Sequence, residues 1–153
     1  MVRSVVETIS GALLAISATI PVSYDAAGYS DTDNVFTSVG EVETYGNHGV
    51  TAAITEFTPV DTAVVAKVKG SKNYGTMALT LGSVPGNAGQ VLLKTASESN
   101  AHYSVKITYP DGEIHYLDVL VSKFEYQDGT VNNVQKIAVD LALCRAPVVV
   151  AAP

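Results

Sequence analysis

Three histidines, a single cysteine and a short run of carboxylates are the side chains of this sequence best suited to chemistry. His48 stands in the punctuation Tyr45-Gly46-Asn47-His48-Gly49, His102 opens an alternating segment, and His115 follows an Asp-Gly turn. Zinc sites draw on three or four His, Cys or carboxylate donors, usually at short fixed spacings. The three histidines have no such spacing, so they read as surface or hydrogen-bonding residues. Cys144 stands alone, which leaves no internal disulfide and no thiolate cluster, and its neighbours Leu141 and Leu143 suggest a core thiol. Asp31-Thr32-Asp33-Asn34 begins like a calcium loop. Val35 then occupies the third ligand position, and neither the turn glycine nor the closing glutamate follows. There is no Gly-x-Ser-x-Gly elbow, phosphate loop or dinucleotide fingerprint. Without a nucleophile, base and orienter in any recognisable set, the sequence points away from an enzyme, and no catalytic residue, metal or cofactor is assigned.

The elements that would position these residues are mostly strands. Residues 12–20 are rich in β-branched and aliphatic side chains and stop at Pro21, which cannot donate in a ladder. Residues 22–38 have no sustained period and read as a long ordered loop, and a short strand is expected over residues 39–42. Residues 50–58 read as an extended arm limited by Pro59. In residues 62–69, Val64, Ala66 and Val68 face one way and Lys67 and Lys69 the other, and a turn is expected at 70–73. Met77, Leu79 and Leu81 then form the buried side of a strand. Asn87 and Gln90 resemble a capping box opening a helix over 88–97, with Ala88, Val91, Leu92 and Ala96 as its apolar stripe. Beyond it, Tyr103, Val105 and Ile107 alternate, Asp111-Gly112 and Asp128-Gly129 turn the chain, and Ile137, Val139, Leu141 and Leu143 form a last apolar face. Seven or eight strands and one helix make the fold mainly β, a β-sandwich or barrel with one flanking α-helix.

The chain of 153 residues has 9 basic and 15 acidic side chains, a net charge of −6. A protein that grips nucleic acid needs clustered Lys and Arg, so DNA binding is not expected. The charge is uneven: residues 1–61 carry eight carboxylates against Arg3, and the remainder is near neutral, which would let like subunits meet by complementary charge. The N-terminal apolar stretch is interrupted by Ser10, Ser17 and Thr19 and preceded by Glu7, so it reads as a strand and not as a leader. No apolar run is long enough for a membrane helix, and no membrane insertion is expected.

The order Ile16-Ser17-Ala18, Pro21, Tyr24-Asp25-Ala26-Ala27-Gly28-Tyr29 and Val39-Gly40-Glu41-Val42 closely resembles the start of siphophage tail tube proteins. The resemblance continues through Lys69-Gly70-Ser71, Tyr74-Gly75-Thr76-Met77, Ala88-Gly89-Gln90, Leu92-Leu93-Lys94 and the Asp111-Gly112 hairpin, covering roughly residues 12–145. This chain departs from the family pattern after Tyr29, where Ser30-Asp31-Thr32-Asp33-Asn34 replaces small or apolar residues.

The resemblance implies a fold shared with the tubes of contractile tails and type VI secretion. It implies hexameric rings stacked into a virion tail tube, assembled in the host cytoplasm, through which DNA passes without specific binding. Its partners would be further copies of itself and the tail-tip, tape-measure and tail-terminator proteins. The expected organisation is an N-terminal arm over 1–11, a tube domain over 12–145 and a C-terminal arm over 146–153, with no added immunoglobulin-like domain. Ring contacts are expected from Tyr24, Asp25, Gly28, Tyr29, Tyr45, Asn47, Val50, Ile54 and Phe57 and from the C-terminal tail, and lumen-facing charge from Glu125 and Asp140. Two alternatives stand beside this reading. One is a tail terminator or secretion-tube-like ring protein; the other is a carbohydrate-binding sandwich using Tyr24, Tyr29, Tyr45, Tyr74 and Tyr116 as a stacking platform.

Overall fold

A computed structural model describes residues 4–153, so Arg3 and the first part of the expected N-terminal arm lie outside the described residues. In chain order the elements are β1 (Leu13–Ser17), the single-turn helix α1 (Ala26–Tyr29), β2 (Thr37–Val39), β3 (Val42–Tyr45), β4 (Thr51–Phe57), β5 (Ala66–Asn73) and β6 (Thr76–Gly82). They continue with α2 (Ala88–Glu98), β7 (Tyr103–Thr108), β8 (Ile114–Gln127), β9 (Lys136–Leu143) and β10 (Val148–Val150). The main antiparallel sheet runs β2-β1-β7-β8-β9-β6-β3, with β10 paired to β8, while β4 and β5 form a separate two-stranded sheet.

The long strand β8 joins the two halves of the main sheet. Its first half pairs with β7, from Thr108↔Ile114 to Tyr103↔Val119. Its second half pairs with β9, from Val119↔Leu143 to Gln127↔Lys136, with a register shift between Val121 and Lys123. A bulge of this kind bends a strand and increases its twist. The bend lets residues from both halves share one core: Ile16, Val105 and Ile107 from one side, Met77, Leu79, Leu81, Val139 and Leu141 from the other, with Leu93 of α2 among them. Each such side chain contributes about 1.5–3 kcal/mol by leaving water, which makes this cluster the main source of stability. The fold is mainly β with one packed helix of any length, as the alternation implies.

Four local expectations are corrected. The strand expected over 39–42 is two strands: Glu41 has φ 60, and the chain passes there from one edge of the sheet, β2, to the other, β3. The turn expected at 70–73 is a bulge inside β5, where Ala52↔Lys72 gives way to Ile54↔Lys69; the reversal comes at Gly75, with φ 75. A glycine inside a strand marks a bulge as readily as a turn.

The other two concern α2. Asn87 does cap it, accepting from Gln90 N at 3.0 Å, but Gln90 does not reach back to the cap. Its Oε1 accepts from Val84 N, and its Nε2 donates to Gly40 O and Gly82 O. Two of those backbone groups, at Gly40 and Val84, lie in connections and the third at the end of β6, and bonding three of them outweighs one reciprocal capping bond. The buried stripe is also rotated: Gly89, Gln90, Leu93 and Ala96 face the sheet, and Ala88 and Val91 face solvent. The helix packs here through a close backbone approach, since a Cβ on Gly89 would lie 2.3 Å from Ser38 O.

Candidate assembly surface

The β4–β5 sheet stands apart from the body. At its root Thr51 pairs with Asn73, and at its far end Phe57 pairs with Ala66. Cross-strand partners share a face, so Phe57, Ala66, Thr55 and Val68 lie on one side and Glu56, Lys67, Ile54 and Lys69 on the other. Every residue of β5 is exposed. The apolar side chains are no exception: Phe57 is 65% and Val68 61% exposed, and Val60 in the connecting loop is 99% exposed. A lone two-stranded hairpin is marginal in water, and a contiguous exposed apolar patch marks an interaction site.

A hydrogen-bonded chain anchors the root of this arm. His115 Nε2 lies 2.6 Å from Glu113 Oε1, and His48 Nε2 lies 2.8 Å from His115 Nδ1. One assignment satisfies both bonds: His115 donates from Nε2 to the carboxylate, and His48 donates from Nε2 to His115 Nδ1. Burial, and then the neighbouring His115, hold the His48 pKa below its ordinary value. Two histidines 67 positions apart in sequence are thus brought together, which their spacing did not suggest.

The loop over 24–29 is built into the body as well as exposed. Asp25 caps α1, its Oδ1 accepting from Gly28 N and from Ser23 Oγ, both at 2.8 Å, and these bonds lower its pKa. Gly28 is buried, and a Cβ there would overlap Ser23 O. Tyr29 is only 1% exposed and stacks on Tyr116 at 5.0 Å between centroids; burial first, then the Asp118 charge, push its pKa far up. Tyr24 remains partly exposed beneath the Arg145 guanidinium. Of the residues expected to make ring contacts, Asn47, Val50, Ile54 and Phe57 are exposed along the arm and its root, while Tyr45 is half-buried with its hydroxyl donating to Ala12 O. The five tyrosines do not form a stacking platform, because Tyr29 and Tyr116 are consumed by the interior.

The second half of β8, with β9 and β6, presents a polar outer face. Lys123↔Asp140 and Glu125↔Ala138 share that side, and Lys123 Nζ lies 3.7 Å from Asp140 Oδ2. Glu125 and Asp140 therefore lie on one face, but Lys123 and Lys136 break up its acidity. The two outermost strands, β2 and β3, leave one side each without a ladder partner among the described residues.

No family profile matches the sequence, and no curated protein matches it. Solved structures do match in fold. A sheath/tube terminator from the PVC extracellular contractile injection system in its extended state aligns with TM-score 0.69 and 8% identity, over 97% of this chain and 99% of that one. A chain of the anti-feeding prophage baseplate, from a 6-fold symmetrised structure, gives TM-score 0.69 and 12% identity over 98% and 99%. The SPP1 tail tube gives TM-score 0.61 and 15% identity over 94% and 80%. The overall fold of this chain is thus like that found in these tail-tube, baseplate and tube-terminator structures.

Proposed function

We propose that this chain is the tube subunit of a long-tailed, non-contractile phage tail, a structural protein without catalytic activity. Copies form hexameric rings, the rings stack, and the bore conducts DNA into the host. The observation that carries this reading is the β4–β5 arm, which exposes apolar side chains on a sheet that its own chain leaves uncovered. A neighbouring ring that covers the arm supplies the missing burial. The open sides of β2 and β3 meet their counterparts on adjacent subunits, so closing the ring removes the two edges that would otherwise invite disordered aggregation. A net charge of −6 suits a bore in which a polyanion must slide without sticking, with Glu125 and Asp140 on its wall.

Electron microscopy of the purified protein in negative stain, alongside light scattering over a range of concentrations, tests this. Hollow rods of uniform width are expected, and a reconstruction of them places Glu125 and Asp140 on the inner wall or removes them from it. Because Thr51 and Asn73 are directly paired, replacing residues 52–72 by a short glycine turn should leave a folded monomer that forms no rods. Normal rods from that variant would refute the role of the arm. A second reading is favoured by the match to the sheath/tube terminator, namely a ring that ends a tube instead of extending it. Single rings that never stack, at any concentration, would select it.

A further inference from the structure

Next to the stacked tyrosines, two strand ends and the interior of a third strand bring together side chains that neither the fold nor the tube reading uses. His102 immediately precedes β7, Asp118 lies in β8, and Cys144 immediately follows β9. These strands are consecutive in the sheet, and the register brings the positions side by side: Ser104 pairs with Asp118, and Val119 with Leu143. The backbone of Cys144 is fixed by its N–H donating to Asp118 O at 2.9 Å. One donor atom from each of His102, Asp118 and Cys144 lies within 4.8 Å of the other two. His102 Nδ1 and Asp118 Oδ1 are 3.2 Å apart.

We propose that His102, Asp118 and Cys144 form a binding site for one zinc-like divalent cation, completed by a water as fourth ligand. Bonds of about 2.0–2.3 Å to nitrogen, oxygen and sulfur place the donors of a tetrahedral site roughly 3.2–3.8 Å apart. The His102–Asp118 pair already meets that distance, and the thiol needs to move on the order of 1 Å toward the pair. Binding requires the thiol proton to leave for solvent. Thiolate and carboxylate then balance the two positive charges of the ion, and imidazole donates as the neutral base. Thiolate and imidazole ligands select zinc or cobalt over magnesium or calcium, which prefer all-oxygen sites.

The outer partner of the site is Arg145. Its Nε lies 3.2 Å from Asp118 Oδ2, so the carboxylate is held by one oxygen and presents the other to His102. An orienting bond of this kind fixes a ligand's geometry. The guanidinium also lies over the Tyr24 ring, 3.7 Å from its centroid, and is half exposed, so it can relax onto that ring or into solvent as the cation enters. The occupied site ties the segment leading into β10 to the β7–β8 ladder, bracing the C-terminal residues against the body.

The test is titration of the full chain with Co2+ under a non-thiol reductant, followed by displacement with Zn2+. One cobalt per chain is expected, with a near-ultraviolet thiolate charge-transfer band and visible bands of tetrahedral intensity, all lost on adding zinc. Cys144→Ser should remove the charge-transfer band, and His102→Ala should weaken zinc binding at least tenfold. Both residues are partly exposed, and circular dichroism checks that both variants stay folded. His48→Ala, which alters the other histidine cluster, should leave the spectrum unchanged. Absence of a charge-transfer band at millimolar cobalt, or a spectrum that survives His102→Ala, overturns the site and leaves an ordinary His–Asp–Arg ion-pair network.

Discussion

Strands β5 and β6 follow one another in the chain with only a glycine-bearing reversal between them, yet they live in different environments. In β6 every second residue is buried, and Met77, Leu79 and Leu81 are at most 2% exposed. In β5 the same kind of alternation buries nothing. Alternation therefore states which residues share a face, and not whether that face is covered. A strand whose apolar side is bare in the monomer still has to be explained, because a lone hairpin does not stabilise itself. The difference separates a body held by its own core from an arm whose apolar side chains lie exposed.

The largest expected effect follows directly. Leu79→Ala should cost the monomer about 2–5 kcal/mol, read by urea denaturation at concentrations too low for assembly, because it opens a cavity in the shared core. Val68→Asp should change monomer stability by no more than about 0.5 kcal/mol, as for other exposed positions, while abolishing rods in the electron microscope. If Val68→Asp destabilised the monomer by as much as a core truncation, the arm would be packed on its own body and the comparison would collapse.

A single substitution made in both regions sharpens the contrast. Gly→Ala in a helix ordinarily stabilises by roughly 1 kcal/mol. At Gly89 the sign should reverse, because the new methyl would lie 2.3 Å from Ser38 O and 2.7 Å from Val39 Cα, both backbone atoms that cannot swing away. The expected cost is about 1–3 kcal/mol, with α2 displaced from β2. Gly70 in the arm has its nearest atom, Ala53 O, at 3.5 Å, and its φ does not demand glycine. Gly70→Ala should leave thermal unfolding of the monomer essentially unmoved. Equal destabilisation at the two sites would show that the arm is as tightly packed as the body.

Much of the body was legible because burial there follows the pleat. The apolar sets of β6, β7 and β9 were readable residue by residue, as was the Asn87 cap, since both signals are local. The helix stripe is rotated from the expected one because Gly89 and Gln90 face the sheet for reasons that hydrophobicity does not encode: one permits backbone contact, the other bonds three backbone groups. The break at Glu41 and the bulge at Gly70 depend on which edge each strand joins, a property of the whole sheet. The histidine pair and the His102–Asp118–Cys144 cluster were invisible for the same reason, since both are assembled by strand register across long separations. Polarity put Glu125 and Asp140 on an outer face, but the lysines that share it became apparent only from the pairing of β8 with β9.

The smallest effect tests how the two regions are joined. His48 sits at the root of the arm and, when neutral, donates to His115, which donates in turn to Glu113. Burial and His115 keep the His48 pKa in the folded chain below the unfolded value of about 6.5. The unfolded chain therefore takes up a proton first as pH falls. The contribution of this group is present in full above about pH 6.5 and is lost as pH falls through the lower, folded value. Protonation leaves His48 with donors alone and sets its charge in this part-buried contact with His115. Amide exchange in β4 and β5 should accordingly quicken between pH 7.5 and pH 5, once corrected for intrinsic rates, while exchange in β6 and β9 stays slow. His48→Gln should flatten that dependence. If β6 and β9 loosen in step with the arm, the histidine chain belongs to the body's own cooperative unit, and the root of the arm is no joint.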